Sequence, residues 1–374
     1  MKNSRARNIP WMGIAVVAML LVLALARVLP GFGAGPANPP DPLAAEIEHW
    51  SAFLRSDVAS HGDWVGIKQG AQPQLTRAAQ DLAHGRRLLA LHRLVMARES
   101  LAIGVYLSQR PAEQRKDMAR FEAEWGRMGK LLQADLKPAT PDVLAGVQPA
   151  ALRALGEAAH PQVREYYVAS LDYGKSTTPD DGLYYIATAE ADRQLLELCR
   201  RLSTPSALKP PPLRSLRPEI DALQSELYKA YRPPVSIDRH GTFITANATL
   251  KEARELDAAG LRYGALLRYL DAALIFAPLR QPVPTLAPAE LRKRLDEYAA
   301  RLSTGGVDHS IGRMMLEGAQ DEMASAAPGT SPAASAAIAA DVLPRYFAAL
   351  GPAKPEAQKP KPQVTVTLVR WPYT

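Results

Sequence analysis

The sequence predicts an all-α protein in which an N-terminal transmembrane helix precedes an array of antiparallel helical hairpins. Aromatic residues make up only 6% of the 374 residues, and runs of β-branched residues are scarce, so the composition favours helix over strand. Apolar residues, mainly Ala and Leu, recur at spacings of three and four, as on the buried face of a helix. Most of the 32 prolines lie between these periodic segments, where proline begins or ends helices.

Residues 9–29 form the predicted membrane segment. The first eighteen of them carry no charge, and a helix of this length rises roughly 30 Å, the thickness of the hydrocarbon core of a bilayer. Lys2, Arg5 and Arg7 precede it, and this positive charge keeps the preceding end of a segment in the cytoplasm. Residues 1–8 are therefore expected in the cytoplasm and the body of the chain outside it.

An alternative for this segment is a signal peptide that is cleaved near Ala26. Ala24 and Ala26 supply the small-x-small pattern that signal peptidase accepts. The anchored form corresponds to a single-pass protein of a bacterial inner membrane with a periplasmic body, and the cleaved form to a secreted protein. The richness in Ala, Arg and Leu is the reason for expecting a bacterial source.

The remainder of the chain divides at stretches rich in Gly and Pro. The predicted divisions are a linker at 30–42, a first helical region at 43–203, a Pro-rich connector at 204–218, a second helical region at 219–326, a low-complexity and Pro-rich linker at 327–363 that includes a short helix at 338–350, and a C-terminal strand at 364–374.

Local signals place several helix ends. Asp41 is a predicted N-cap, with Pro42 in the first turn of the helix that follows. The next long helical run is expected to break near Gly85, and two short helices are expected on either side of Pro161.

A small β element is expected at residues 235–245, where β-branched and aromatic residues flank a turn-like Arg-His-Gly sequence. Residues 364–371 also have the composition of a strand. Because two isolated strands are marginal in water, one alternative is that residues 364–371 fold back beside the hairpin. The other is that they add to the sheet of a partner protein.

One stretch carries a spacing typical of a known repeat. Gly260, Ala265, Tyr269 and Ala272 follow the pattern G-x4-A-x3-[FY]-x2-A, and Pro278 ends the run. Residues 248–278 therefore resemble one degenerate tetratricopeptide repeat. The resemblance implies two antiparallel helices that approach through small residues.

The repeat resemblance covers less than a tenth of the chain and departs from its pattern at two positions, one of which is Pro278, which comes one residue late. Arg262 stands where an aromatic residue is usual, and Tyr263 follows one place late. A tetratricopeptide-like array and an irregular α-solenoid both remain open for the body as a whole.

The net charge of +7 does not predict a nucleic-acid partner. The excess of positive charge lies in residues 1–27 and 351–374, and residues 28–350 are neutral overall. A neutral body lacks the basic face that phosphate backbones require.

No catalytic, cofactor or metal-binding motif stands out. The sequence contains no H-E-x-x-H pair, no Cys-x-x-Cys and no phosphate-binding glycine loop. The only cysteine, Cys199, lies between leucines of a helical run and is expected to be a small buried residue. We therefore predict a protein that is not an enzyme and that holds neither a cofactor nor a metal.

The predicted function is a membrane-anchored, periplasmic helical scaffold that mediates protein–protein interaction in the cell envelope. The alternative is an envelope enzyme or a small-ligand-binding protein with a pocket between helices. The predicted partner-binding residues are Tyr166, Tyr184, Tyr263, Tyr269, Val366, Leu368 and Trp371.

Overall fold

Helices make up nearly all of the regular structure in the described part of the chain. The structure is a computed structural model that describes residues 41–56, 64–233, 237–280 and 285–350. The helices are α1 (Pro42–Arg55), α2 (Trp64–Ala83), α3 (Arg87–Ser108), α4 (Ala112–Arg115), α5 (Met118–Leu131), α6 (Ala150–Ser176), α7 (Pro179–Leu202), α8 (Arg217–Ala230), α9 (His240–Ala258), α10 (Arg262–Phe276), α11 (Pro288–Leu302), α12 (Ser310–Ser325), α13 (Ala333–Ala337) and α14 (Leu343–Ala349). A π-helical turn, Ile338–Val342, joins α13 to α14. Within those ranges there is no strand, so the predicted all-α class is confirmed.

Three pairs of consecutive helices pack closely against each other: α2 with α3, α6 with α7, and α9 with α10. The short connections make each pair antiparallel. Gly85 and Gly260 have φ angles of 76° and 79° in two of these connections. A glycine adopts this left-handed conformation without steric cost, which ends one helix and allows the next to reverse direction.

Neighbouring pairs form one layer. Helix α7 packs on α3, and α6 packs on α10, so the order across the layer is α2, α3, α7, α6, α10 and α9. The C-terminal helices cover one side of this layer, because α12 packs on α3 and α6 while α14 and the π-helical turn pack on α10. Buried side chains from both sides of the connector at 204–218 belong to one contiguous apolar cluster.

Two of the predicted helix ends are confirmed. The carboxylate of Asp41 accepts a hydrogen bond from the Leu43 amide at 3.0 Å, and α1 begins at Pro42. Helix α2 ends two residues before Gly85, and α3 begins two residues after it. Both ends depend on groups that are neighbours in the sequence.

The prediction of two short helices around Pro161 is wrong, because α6 runs through this proline. A proline inside a helix costs about 3 kcal/mol, since it removes a backbone hydrogen bond and crowds the preceding turn. Helix α6 buries residues on both sides of Pro161, including Ala158, Ala159 and Val163. Packing of α6 against α7 and α10 offsets the cost of the proline.

A carboxylate from another helix caps the N-terminus of α10. Leu261, which precedes α10, supplies no side-chain cap. Instead, Glu157 of α6 accepts hydrogen bonds from the amides of Tyr263 at 2.9 Å and Gly264 at 3.0 Å. Its other oxygen accepts a hydrogen bond from Arg153 at 2.7 Å. The fully buried Glu157 therefore satisfies amide groups that α10 itself leaves open.

Helices α3 and α6 are capped in the same way. Asp308 accepts a hydrogen bond from the Ala150 amide at 2.6 Å, at the start of α6. Glu317 of α12 accepts one from the Leu89 amide at 3.1 Å, at the start of α3. These contacts tie the C-terminal helices to the layer through polar groups as well as through apolar packing.

The predicted β element at 235–245 is wrong for the part of it that the structure describes. Residues 237–239 form a 3-10 turn, and α9 continues from His240. Phe243 stacks on Tyr231 with ring centroids 4.1 Å apart, which packs this segment on the end of α8. The hydroxyl of Thr245 donates to the Gly241 carbonyl at 2.9 Å, so its side chain is satisfied within the helix. No sheet in the described residues offers an edge for a hairpin here.

Two predicted segments lie outside the described residues: the transmembrane segment at 9–29 and the C-terminal strand at 364–374. Across the ranges that the structure does describe, none of the helices combines the length and the apolar character that a bilayer span requires.

Close contact between α6 and α10 makes Gly264 a sensitive position. A Cβ atom at Gly264 would lie 2.8 Å from the Ala158 backbone nitrogen and 2.9 Å from the Glu157 carbonyl carbon. We predict that Gly264→Ala lowers the free energy of unfolding by about 1–3 kcal/mol, as overpacked cores do. Urea denaturation monitored by circular dichroism measures this change in the free energy of unfolding.

Gly126→Ala in α5 is the matched control, because no atom lies within 4 Å of a Cβ there. The control is expected to raise the free energy of unfolding by about 0.5–1 kcal/mol, since alanine favours helix. Equal effects of the two substitutions would contradict the close approach of α6 and α10.

Candidate functional site

Carboxylates from four helices come together on the layer and define an acidic recess, whose members are Glu99 of α3, Asp192 of α7, Glu252 of α9 and Asp271 of α10. The pKa of Asp192 is raised well above its usual range by burial first and then by the charge of Glu99. The charge of Glu252 contributes to the raised pKa of both Asp192 and Asp271. Glu99 and Glu252 therefore act electrostatically on Asp192, and Glu252 acts on Asp271.

Three carboxylates of this site are partly buried between helices, and Glu99 is exposed. Asp192, Glu252 and Asp271 each keep part of the side chain accessible to solvent. Even so, burial is the largest cause of the raised pKa of each of them, and it raises the pKa of Asp271 to about 6. Partial accessibility together with strong desolvation is expected where several helices surround a group.

One guanidinium group serves two of these carboxylates. Arg268 Nε lies 3.1 Å from Glu252 Oε2, and Arg268 Nη1 lies 3.6 Å from Asp271 Oδ2. Arg98 donates hydrogen bonds to the Ala191 carbonyl at 3.1 Å and to Gln194, and its charge, like that of Arg268, opposes the rise in the pKa of Asp192 that burial causes. Asp192 itself forms no hydrogen bond and no ion pair with any described residue. The recess therefore holds more negative than positive charge.

Four tyrosines of α6 and α7 continue from the recess, and we call them the tyrosine ladder: Tyr166, Tyr173, Tyr184 and Tyr185. The rings of Tyr173 and Tyr185 stack with centroids 4.2 Å apart. The ring centroids of Tyr166 and Tyr184 lie 6.0 and 6.1 Å from the ring centroid of Tyr185. Burial raises the pKa of Tyr166 to about 12, and the charge of Asp192 adds to this. Tyr166 thus joins the ladder to the carboxylates.

A separate cavity of about 630 Å³ is lined in part by α3 and α10, two of the helices that also carry carboxylates of the recess. It opens between α3, α10 and α12, and its lining includes His92, Leu274, Met314 and Met315. On α10, Leu274 lies one turn beyond Asp271, and on α3, His92 lies two turns before Glu99. Burial and the neighbouring Arg93 lower the pKa of His92, so its imidazole is neutral at pH 7.

The predicted partner-binding residues fall into three groups. Tyr166 is half-buried at the recess, and Tyr184 is 50% exposed at the outer end of the ladder. Tyr263 and Tyr269 are buried, and their hydroxyls bond to Pro211 and Arg345 inside the body. The remaining three, Val366, Leu368 and Trp371, lie outside the described residues.

Reactive groups elsewhere are enclosed. Cys199 is buried as predicted, and burial raises the pKa of its thiol to about 12, so the thiol remains protonated. His160 is also buried, which lowers its pKa. Among the described residues, no group of His, Cys, Asp and Glu side chains is arranged to hold a metal ion. Asp192, Glu252 and Asp271 of the recess are ionisable and remain partly accessible, and a carboxylate suits binding of a cationic side chain.

The carboxylates of the recess could not be selected from the sequence, because each comes from a different helix. The tyrosines were more visible, since Tyr166, Tyr173 and Tyr184 cluster around one helix connection. Comparisons of the chain with protein-family models, curated proteins and solved structures gave no match.

The raised pKa of Asp271 predicts a pH-dependent stability. The folded protein binds this proton more tightly than the unfolded chain does, because the folded pKa of about 6 exceeds the reference value of 3.8. The ionised carboxylate therefore destabilises the fold above pH 6, and this penalty disappears as the pH falls through both values. We predict that Asp271→Asn raises the free energy of unfolding by about 1–2 kcal/mol near pH 7.5 and has little effect near pH 3.5.

Denaturant titrations of both proteins at the two pH values measure this difference. Asp296→Asn on the exposed face of α11 removes the same charge and is expected to have little effect at either pH. An effect of Asp271→Asn that does not change with pH would contradict the assignment.

Proposed function

We propose that the chain is a non-enzymatic interaction protein of a bacterial cell envelope, which recognises a segment of a partner protein through the acidic recess and the tyrosine ladder. In this proposal residues 9–29 anchor it in the inner membrane and the body faces the periplasm. The partner segment binds across α3, α7, α6 and α10. No cofactor, metal or nucleic acid takes part.

The observation that carries this proposal is the composition of the recess. Interfaces that bind tightly use aromatic side chains together with charged groups in a partly desolvated site. Here the tyrosine ladder, in which Tyr173 and Tyr185 stack and Tyr184 is exposed, leads to Asp192, whose carboxylate has no hydrogen bond or ion pair with any described residue. A segment that lies along α7 would contact both.

The membrane part of the proposal rests on the sequence. The apolar segment at 9–29 and the basic residues before it account for the anchor and its orientation. Helix α1 begins at Pro42, so the linker at 30–42 would hold the body close to the bilayer. The proposed partner is therefore another envelope protein.

For the body we propose an irregular array of helical hairpins that includes one tetratricopeptide-like hairpin, α9 with α10. Gly260 in its turn and the buried Ala265, Tyr269 and Ala272 support this reading. Irregularity is supported by α8, which separates the second and third hairpins, and by α12–α14, which return to cover the layer.

A second candidate function is binding of a small molecule in the cavity of about 630 Å³. Its volume lies within the range of small-molecule sites, and Leu274, Met314 and Met315 contribute apolar lining. An amphipathic ligand would suit this cavity and the polar groups at its edge. This candidate corresponds to an envelope ligand-binding protein or enzyme.

Site-specific photo-crosslinking in the native membrane tests the proposed function. A photoreactive phenylalanine analogue at Tyr184, which is 50% exposed, is expected to crosslink one defined partner protein in carbonate-washed membranes. The same analogue at Tyr228, which is 54% exposed on α8 and lies apart from the ladder, is the matched control.

The crosslink at position 184 is expected to disappear in the Asp192→Asn and Glu252→Gln double variant. Equal crosslinking from positions 184 and 228, or recovery of the chain only in the soluble fraction, would contradict the proposal.

A further inference from the structure

We infer that the acidic recess and the tyrosine ladder bind a basic, extended segment of a partner protein, whose arginine or lysine side chains enter the recess. This inference rests on the proposed function and states the chemistry of the partner. Its basis is charge complementarity together with a pattern of contacts that recurs inside the body.

The recess is acidic although the body around it is neutral. Residues 28–350 carry no net charge, yet four carboxylates converge here with the guanidinium of Arg268. Like charges in a partly desolvated site repel one another, and a cation that enters the site relieves this repulsion. An anionic or neutral segment would not relieve this repulsion.

Asp192 is the group that a ligand cation would reach. Arg268 is shared by Glu252 and Asp271, whereas Asp192 forms no hydrogen bond or ion pair with any described residue. A half-buried carboxylate without such a contact is costly, because it loses hydration and gains no partner. A guanidinium or ammonium group supplies charge-assisted hydrogen bonds to this carboxylate.

The body already combines arginine, tyrosine and carboxylate at other places. Arg110 lies 3.6 Å from the centroid of the Tyr106 ring and bonds to Glu124. Arg153 repeats this arrangement, with its guanidinium 4.5 Å from the Tyr263 ring centroid and a hydrogen bond to Glu157. Each guanidinium thus has an aromatic face on one side and a carboxylate at its edge.

Tyr166 and Asp192 supply the same two kinds of contact, an aromatic ring and a carboxylate, at the accessible recess. Tyr166 lies on α6 and Asp192 on α7, which pack closely against each other, and the charge of Asp192 contributes to the raised pKa of the Tyr166 hydroxyl. Tyr173 and Tyr185 extend the aromatic surface beyond Tyr166. A guanidinium from a partner can therefore find here the contacts that Arg110 has within the chain.

The length of the surface favours a segment over a single small cation. Tyr185 and Asp192 are two turns apart on α7, which corresponds to about 10 Å along the helix axis. An extended peptide covers this distance with about three residues. Several basic side chains of one segment can then contact the ladder and the recess together.

Binding of a fluorescent hexa-arginine peptide to the full-length chain in neutral detergent tests the inference. Fluorescence anisotropy is expected to show binding that weakens as salt rises, with a hexa-citrulline peptide of the same shape binding at least tenfold more weakly. The Asp192→Asn and Glu252→Gln double variant is expected to lose at least tenfold in affinity for hexa-arginine.

Two matched variants separate recognition from general charge and from folding. Asp296→Asn with Glu297→Gln removes the same charge from the exposed face of α11 and is expected to leave the affinity unchanged. Tyr166→Phe keeps the aromatic face and is expected to bind within about twofold of the parent chain, whereas Tyr166→Leu is expected to bind severalfold more weakly.

Equal loss of affinity in both double variants, or no binding of hexa-arginine to the parent chain, would overturn the inference. Spermine that displaces hexa-arginine and binds more tightly would also overturn it, in favour of a small polyamine ligand. A crosslink from position 184 to a partner that lacks a basic segment would contradict the inference and leave the proposed interaction function standing.

Discussion

The buried carboxylate of Glu157 joins the neighbouring helices α6 and α10 of the layer, and much of the structure depends on this contact. It lies between the guanidinium of Arg153 and the first amides of α10. A buried carboxylate is costly without partners, and a helix N-terminus leaves amides and a partial positive charge unsatisfied. Each group therefore removes the cost of burying the other. Gly264 completes the junction, because the absence of a side chain allows α10 to approach the backbone of α6.

The acidic recess follows from the same junction. Helix α6 carries α7 as its antiparallel partner, and Glu157 fixes α10 on the other side, so Asp192 and Asp271 are brought to one site from separate hairpins. Carboxylates held together in this way destabilise the fold, as their raised pKa values indicate. The capping contacts and the apolar cluster offset that cost. Retention of mutually repelling groups in an accessible recess is typical of a functional site.

The sequence was sufficient to predict the structure where the interacting groups are close neighbours in the chain. The cap at Asp41 and the break at Gly85 depend on local geometry, and the helical composition predicted the all-α class. The β element at 235–245 was wrong in its described part, because packing of Phe243 on Tyr231 overrides the local preference for strand. The recess and the cap by Glu157 join residues that are distant in the chain, and a single sequence carries no signal for such pairs.

Glu157 holds α6 and α10 together by capping one helix from the other, and the stability of the Glu157→Ala variant tests this role most directly. Urea denaturation of this variant should show a loss of about 3–5 kcal/mol in the free energy of unfolding, because buried amides and the Arg153 guanidinium lose their partner. Glu165→Ala, on the exposed face of the same helix, should change it by less than about 0.5 kcal/mol. Hydrogen exchange at the Tyr263 and Gly264 amides should accelerate only in Glu157→Ala. Equal stability of the two variants, with unchanged exchange at these amides, would contradict the account.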